Sequence, residues 1–221
     1  MSVLGIVIGL AVVGGLLYWL ISSNLTEKSE AIVIVKSSQP GNVRTSFNQK
    51  LPASFNEPQG AVFSYTGWLL VNDFASGYGE RRMIFSKGDM PGLYLDSTSN
   101  SLVFVVNTYG AKETVLIPNI PANKWLHIGL VVDQTAMQIY INGRLRQYHT
   151  LAQLADPNDE LVKTGGGWDG VLGGLAYYPR ALSNQEIDEM AQQPTPNDLR
   201  PKSSAPQYFD MTWYTGRLNS S

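Results

Sequence analysis

Residues 123–145 read NKWLHIGLVVDQTAMQIYINGRL, and this stretch decides the fold. Between Trp125 and Val132 the side chains alternate between two faces, as they do along a β-strand. One face carries Leu126, Ile128, Leu130 and Val132, and the other carries Trp125, His127, Gly129 and Val131. A second alternating run covers residues 136–141. Asp133-Gln134-Thr135 and Asn142-Gly143 supply turn residues. The stretch therefore predicts two consecutive β-hairpins.

Short apolar runs continue this rhythm on the N-terminal side. They are AIVIVK from Ala31, AVFSYTGWLLV from Ala61, MIFSKG from Met83, GLYLD from Gly92, SLVFVVNT from Ser101 and ETVLIP from Glu113. Residues 37–59 are richer in Pro, Gly, Asn and Ser, and we expect loops with short extended pieces there. Residues 151–170 are expected to form a polar loop with room for a helical turn. Many short strands bounded by turn residues are typical of an antiparallel sandwich rather than of βαβ units.

Two motifs resemble a known family. The pattern Trp-x-His-x-x-x-Val-x-Asp from Trp125, followed by Ile-Tyr-Ile-Asn-Gly-Arg from Ile139, resembles the central hairpin of laminin-G-like, concanavalin A-like jelly-roll domains. GVLGGLAYYPRALSNQEIDEM, residues 170–190, is similar to the last strand and short helix of that family. The resemblance covers about residues 31–192. It implies an all-β, antiparallel jelly-roll sandwich with one short helix near its end.

The residues of that helix support the same expectation. Ser183-x-x-Glu186 has the spacing of a capping box, in which the two residues satisfy each other's backbone donors at the start of a helix. Leu182, Ile187 and Met190 are the side chains that we expect to face inward.

Composition limits the function classes. The 221 residues are 43% hydrophobic and 15% charged, as in a folded protein. A net charge of −2 gives no basic surface for nucleic acid. The chain contains no cysteine, which excludes thiol catalysis and cysteine–zinc sites and favours a reducing compartment.

Residues 3–21, VLGIVIGLAVVGGLLYWLI, carry no charge and are long enough for a helix to cross a bilayer. No basic segment precedes them and no small-x-small cleavage site follows, so an anchor is favoured over a signal peptide. The expected anchor residues include Val3, Leu10, Leu17, Tyr18, Trp19 and Ile21. We divide the chain into an anchor (1–24), a sandwich (25–192) and a tail (193–221). We expect a single-pass membrane protein facing the cytosol or the interior of a virion.

The tail combines prolines with bulky aromatic residues. Four prolines break regular structure, and four aromatic side chains follow within a short span: Tyr208, Phe209, Trp213 and Tyr214. A free linker is rarely so aromatic, so these residues are predicted to dock on a protein partner.

Catalysis receives little support from the sequence. Some concanavalin-like relatives are glycoside hydrolases with three carboxylates on one strand face. Here Glu186, Asp188 and Glu189 fall on a predicted helix, so their carboxylates would point in different directions around the helix axis and would not converge on one face. His127 and His149 are not spaced as a metal pair, and His127 is expected in the core. Arg81-Arg82 is expected to be a solvated turn. We therefore predict that the chain is not an enzyme.

Candidate ligand residues combine an aromatic platform with a polar partner. Trp168 with Asp169 ranks first, then Tyr109 with Asn107, then Tyr78 with Asp73. The alternative for Trp168 is packing over a sheet edge. Trp125 and Tyr140 are expected in the core. The resemblance also implies a calcium ligand near Gly173, where this chain has no carboxylate. Asp169 is the nearest substitute, so calcium stays open and no cofactor is predicted.

Two functions follow from these expectations. The first is a membrane-anchored interaction or structural module that binds a protein partner through its sandwich and tail, such as a minor structural protein of a membrane-containing virion. The second is a lectin-like carbohydrate-binding module at a cell surface. Membrane lipid, protein and glycan are the expected partners, and nucleic acid is not.

Overall fold

A computed structural model of the protein describes residues 31–54 and 60–195. The described chain forms twelve strands and one helix. The strands are β1 (Ile32–Pro40), β2 (Thr45–Ser46), β3 (Val62–Val71), β4 (Arg82–Ser86), β5 (Gly92–Leu95), β6 (Leu102–Asn107), β7 (Lys112–Ile117), β8 (Trp125–Asp133), β9 (Ala136–Ile141), β10 (Arg144–Thr150), β11 (Lys163–Thr164) and β12 (Gly170–Tyr178). The helix α1 spans Asn184–Gln192.

The strands form two six-stranded antiparallel sheets packed face to face. The first sheet has the order β1-β12-β3-β8-β9-β10, and the second has the order β2-β11-β4-β5-β6-β7. Five of the ten neighbouring strand pairs are consecutive in sequence and five are distant, among them β1-β12, β12-β3 and β3-β8, as Greek-key connections require. The predicted all-β jelly-roll sandwich is therefore confirmed.

The central stretch folds as its alternation predicts. β8 pairs with β9 from Asp133↔Ala136 to Ile128↔Ile141, and β9 pairs with β10 across Asn142-Gly143. Asn142 and Gly143 both have positive φ, 52° and 81°, which is the conformation that this dipeptide tolerates best. Both predicted hairpins are confirmed.

The main core lies between the sheets. From β8 it receives Leu126, Ile128, Leu130 and Val132, the face that the alternation assigned to one side. Phe63, Tyr65, Phe85 and Tyr177 form a chain of aromatic contacts in the same layer. Because both sheets contribute large apolar side chains, burying this layer is the main term that stabilises the fold.

Helix α1 covers part of the outer face of the first sheet. Ser183 accepts a hydrogen bond from the Glu186 amide, and the Glu186 side chain accepts one from the Ser183 amide, so the predicted capping box is confirmed. Leu182 and Ile187 are buried against Val131 and Tyr140, while Met190 is only partly buried. Tyr140 is thus buried as expected, but beneath the helix rather than between the sheets.

The short extended pieces expected within residues 37–59 are present as strands, whereas the strand within residues 151–170 was not predicted. β1 continues to Pro40, the short strand β2 lies in the first of these segments, and the short strand β11 lies in the second. The helical turn expected between residues 151 and 170 does not form. These strands are irregular or short, and strand β1 shifts register twice against β12, so they lack a clean alternating pattern. No helix within residues 31–54 and 60–195 is long and apolar enough to span a bilayer. The predicted anchor lies outside the described residues.

Candidate functional site

Trp168 does not form an exposed platform. Its side chain is 1% exposed, and its indole Nε1 donates a 3.0 Å hydrogen bond to the Met83 carbonyl. The ring fills the space left by Gly41, where an added Cβ would stand 2.3 Å from Trp168 Cδ2. The exposed platform predicted for Trp168 is therefore not formed, and the indole lies in the main core rather than over a sheet edge, as the alternative had it.

Asp169 is exposed, but its neighbours are structural. Its carboxylate accepts a 3.0 Å hydrogen bond from Asn72 Nδ2. The nearby Asp73 carboxylate accepts hydrogen bonds from the Ser76 and Ala75 amides, and these bonds lower the pKa of Asp73. Within the described part of the chain, no group of three His, Cys, Asp or Glu side chains could hold a metal ion.

The other predicted platforms are exposed. Tyr109 is 58% exposed beside Asn107, whose side chain donates to the Gly88 carbonyl, and Tyr78 is 66% exposed. Asn107 ends β6, whereas Trp168 bonds to the beginning of β4. The register of β4, β5 and β6 puts these positions at opposite ends of the second sheet. The predicted residues therefore do not form a single site.

Arg82 is not part of a solvated turn. It is 3% exposed, and its guanidinium donates hydrogen bonds to the carbonyls of Phe74, Ser76 and Asp96. Arg82 lies two residues before the buried Ile84, and residues two apart on a strand face the same side. This spacing is the sequence signal that could have predicted the burial of Arg82. The Arg82 side chain holds the loop before β4 in place through these hydrogen bonds and does not offer an anion site.

The Glu186 carboxylate is also engaged in structural contacts. Arg180 forms a bidentate ion pair with it at 3.0 and 2.7 Å, and this pairing lowers the pKa of Glu186 to about 2. The carboxylate also accepts the hydrogen bond that caps α1. A group held ionised in this way cannot act as a general acid near neutral pH.

A cleft at the edge of the sandwich was not predicted from the sequence. It is an open cleft with a volume of about 460 Å³, and it lies where β1, β2 and β11 meet. Its described lining consists of Ile34, Gln39, Thr45, Ser46, Phe47, Asn48, Gln49 and Thr164. Pockets for small ligands typically measure roughly 300–1,000 Å³. The signal was the set of uncharged polar residues on either side of Phe47, but that segment was expected to form loops with short extended pieces.

The wall of this cleft is fixed by hydrogen bonds. Gln39 Nε2 donates to the Val43 carbonyl at 3.0 Å and to Thr45 Oγ1 at 3.1 Å. Thr164 Oγ1 donates to Gln39 Oε1 at 2.8 Å. Asn48 and Gln49 are exposed at the rim, and no described lining residue carries a charge. The cleft therefore offers neutral amide and hydroxyl groups beside the Phe47 ring.

A second surface lies on the outer face of the first sheet, beside α1. Trp68 of β3 stands opposite His127 of β8, with ring centroids 5.1 Å apart. Trp125 lies two residues from His127 on the same face. Trp125 is half-buried, rather than in the core as predicted, whereas His127 is buried as expected. We name Trp68, Trp125 and His127 the indole patch.

Burial of His127 makes the stability of the fold depend on pH. Desolvation lowers the pKa of His127 to about 4, whereas an unfolded histidine titrates near 6.5. The unfolded chain therefore binds the proton first, and stability is lost as the pH falls from about 6.5 towards 4. We expect a loss of up to roughly 3 kcal/mol over that range.

Urea unfolding at pH 7 and pH 4.5 measures this loss. In the His127→Phe variant, the free energy of unfolding should change much less between pH 7 and pH 4.5. The Glu186 carboxylate, whose pKa is lowered to about 2, loses its stabilising contribution only below about pH 4.5. Equal pH dependence in the variant and the native chain would contradict the assignment to His127.

Sequence comparison gives the family. Residues 41–188, which include every strand except β1, match the model of the concanavalin A-like lectin/glucanases superfamily. The chain belongs to this superfamily. Among curated proteins, no sequence matches it.

Solved structures with the same superfamily fold are distant in sequence. The receptor-binding domain of botulinum neurotoxin D has a TM-score of 0.57 at 14% identity, covering 76% of this chain and 48% of that one. The binding domain of botulinum neurotoxin DC in complex with rat synaptotagmin II has a TM-score of 0.52 at 17% identity, covering 75% and 47%. The serotype D ligand-binding domain in complex with N-acetylneuraminic acid has a TM-score of 0.54 at 14% identity, covering 74% and 46%.

These neighbours are binding domains, and the chain spans about half the length of each. The similarity shows that this superfamily member shares their fold. The predicted anchor residues, and the tail residues Tyr208, Phe209, Trp213 and Tyr214, lie outside the described residues.

Proposed function

We propose that the sandwich is a non-catalytic glycan-binding module whose cleft between β1, β2 and β11 takes a neutral sugar. The observation that carries this proposal is the composition of the cleft. Amides and hydroxyls provide both donors and acceptors, as a sugar requires, and the Phe47 ring offers an apolar surface. The absence of charge from the described lining favours a neutral sugar over a sialylated one.

The cleft is also suited to binding without large rearrangement. Gln39 joins β1 to residues of β2 and β11 through three side-chain contacts, so the walls are held before a ligand arrives. A preorganised site loses less conformational entropy on binding. Asn48 and Gln49 at the rim would then supply the contacts that orient the sugar.

A glycan array probed with the full-length chain tests this proposal. We expect retention on neutral glycans and a loss of about 10- to 100-fold in affinity for the Asn48→Ala/Gln49→Ala double variant, because two side chains with hydrogen bonds are removed. Gln185→Ala, an exposed glutamine on α1, is the matched control and should bind as the native chain does.

Failure to retain any glycan would contradict the proposal. Retention of sialylated glycans alone, unchanged in the double variant, would contradict the assignment of the cleft. Capture of a defined protein without any glycan would favour the second candidate.

That second candidate is the protein-binding module. It is favoured by Leu145 and Tyr148, which are 48% and 54% exposed on the edge strand β10. Exposed apolar side chains on a free sheet edge suit a protein contact. The membrane anchor, the single-pass location facing the cytosol or a virion interior, and the role as a minor virion protein stay predictions.

A further inference from the structure

The orientation of the Gln39 amide in the wall of the cleft is fixed by two backbone carbonyls. Gln39 Nε2 lies 3.0 Å from the Val43 carbonyl oxygen and 3.4 Å from the Thr164 carbonyl oxygen. A carbonyl oxygen accepts hydrogen bonds and cannot donate them. The atom that faces these two carbonyls must therefore be the amide nitrogen of Gln39, and the amide oxygen points the other way.

This orientation sets the roles of two threonine hydroxyls. Gln39 Oε1 can only accept, so Thr164 Oγ1 donates its hydrogen to it across 2.8 Å. Gln39 Nε2 can only donate, so Thr45 Oγ1 accepts from it across 3.1 Å. The hydrogen bonds therefore run in one direction, from Thr164 to Gln39 and from Gln39 to Thr45.

Thr45 ends this series with a hydrogen left to donate. A hydroxyl group has one hydrogen and two acceptor lone pairs, and the hydrogen cannot point at the Gln39 nitrogen that donates to the same oxygen. Within the described residues, Thr45 Oγ1 donates to no protein atom. Thr45 is exposed and lines the cleft, whereas Thr164 is buried. The wall therefore presents one positioned donor to the cleft, at Thr45.

We propose that Thr45 Oγ1 donates a hydrogen bond to a hydroxyl group of the neutral sugar and so selects which hydroxyl binds against this wall. The inference rests on the proposed glycan-binding function of the cleft. A sugar hydroxyl suits this position better than an ether oxygen. It can accept from Thr45 and still donate its own hydrogen to Gln39 Oε1, which uses one of its two lone pairs for Thr164.

The same geometry excludes groups that only donate hydrogen bonds. An ammonium group has three donors and no acceptor, so it would leave the Thr45 hydrogen without a partner. A sugar with a charged amine in place of the selected hydroxyl is therefore a poor ligand for this wall. Thr45 distinguishes the two sugars by the direction of a single hydrogen bond, without any charge in the described lining of the cleft.

Equilibrium titration of the full-length chain with the methyl glycosides of glucose, galactose and mannose tests the role of Thr45. Thr45→Val keeps nearly the same shape and lacks the hydroxyl, so we expect it to weaken binding by about 3- to 10-fold. Thr45→Ser keeps the hydroxyl and should bind about as well as the native chain. Thr114→Val is the matched control and should leave binding unchanged, because Thr114 is an exposed threonine of β7, at the opposite edge of the second sheet.

Monodeoxy and monodeoxyfluoro analogues of the glycoside that binds identify the selected hydroxyl. We expect one deoxy analogue to bind the native chain about 3- to 10-fold more weakly than its parent. In Thr45→Val the same analogue and its parent should bind equally, because the contact is already lost. The corresponding fluoro analogue can accept but cannot donate, so it should lose less affinity than the deoxy analogue.

The possible results separate this inference from the proposed function. Native affinity in Thr45→Val, together with weak binding by Asn48→Ala/Gln49→Ala, would overturn the role of Thr45 and leave the cleft as the glycan site. Equal losses for the deoxy and fluoro analogues on the native chain would show that Thr45 accepts from the sugar, which also overturns the inference. Failure of all three glycosides to bind would overturn it as well, and a glycan array without any retained glycan would overturn the proposed function too.

Discussion

Replacing Trp168 by Ala is expected to lower the free energy of unfolding by about 3–5 kcal/mol, the range for removing a buried aromatic side chain. The indole is fully buried in the main core and lies against the backbone of Gly41 and Gly170. It also bonds to the Met83 carbonyl of β4. The truncation would therefore leave a cavity and an unpaired acceptor where both sheets meet.

Urea unfolding of the full-length chain measures this effect, and Trp168→Phe is the matched variant. Phe keeps most of the ring and loses the N–H donor, so we expect a smaller loss of about 1–2 kcal/mol. Glycan retention by the folded Trp168→Phe chain should be unchanged, because the indole lies outside the proposed cleft. A loss below 1 kcal/mol for Trp168→Ala would contradict its place in the core.

The contrast between the central hairpins and Trp168 explains what the sequence could predict. Alternation along β8 identifies which side chains face the core, because the strand period is two. Trp168 follows Gly165-Gly166-Gly167, three residues with positive φ, and no period extends through such a loop. Its burial depends on Gly41, which is distant in the sequence. Local patterns cannot predict such a contact.

The cleft escaped prediction for a related reason. Its lining joins residues 34–49 to Thr164, and the strands β2 and β11 that bring them together have two residues each. Strands this short carry no detectable alternation. The helix was predictable because a capping box is a local signal that acts within three residues. Long-range pairing therefore fixes the candidate site, whereas local chemistry fixes most of the fold.

Arg82 leads to the second large expected effect. Arg82→Met should lower the free energy of unfolding by about 2–4 kcal/mol, because three carbonyls lose their donor and a buried acceptor costs about 1–3 kcal/mol. Two of these carbonyls, Phe74 and Ser76, belong to the loop before β4, with hydrogen bonds of 2.9 and 2.6 Å. The third belongs to Asp96 after β5.

The loop itself gives a more specific measurement than global stability. We expect amide exchange at Tyr78, whose N–H donates to the Ala75 carbonyl, to accelerate at least ten-fold in Arg82→Met. Arg82→Lys should give an intermediate result, because an ammonium lacks the planar fork that reaches separate carbonyls. Arg81→Met is the matched control. Arg81 is exposed over the Tyr94 ring, 5.8 Å from its centroid, so its loss should change stability by no more than about 0.5 kcal/mol. If Arg82→Met and Arg81→Met changed the stability and the Tyr78 exchange rate equally, the buried Arg82 guanidinium would not be what holds the loop against β4 and β5.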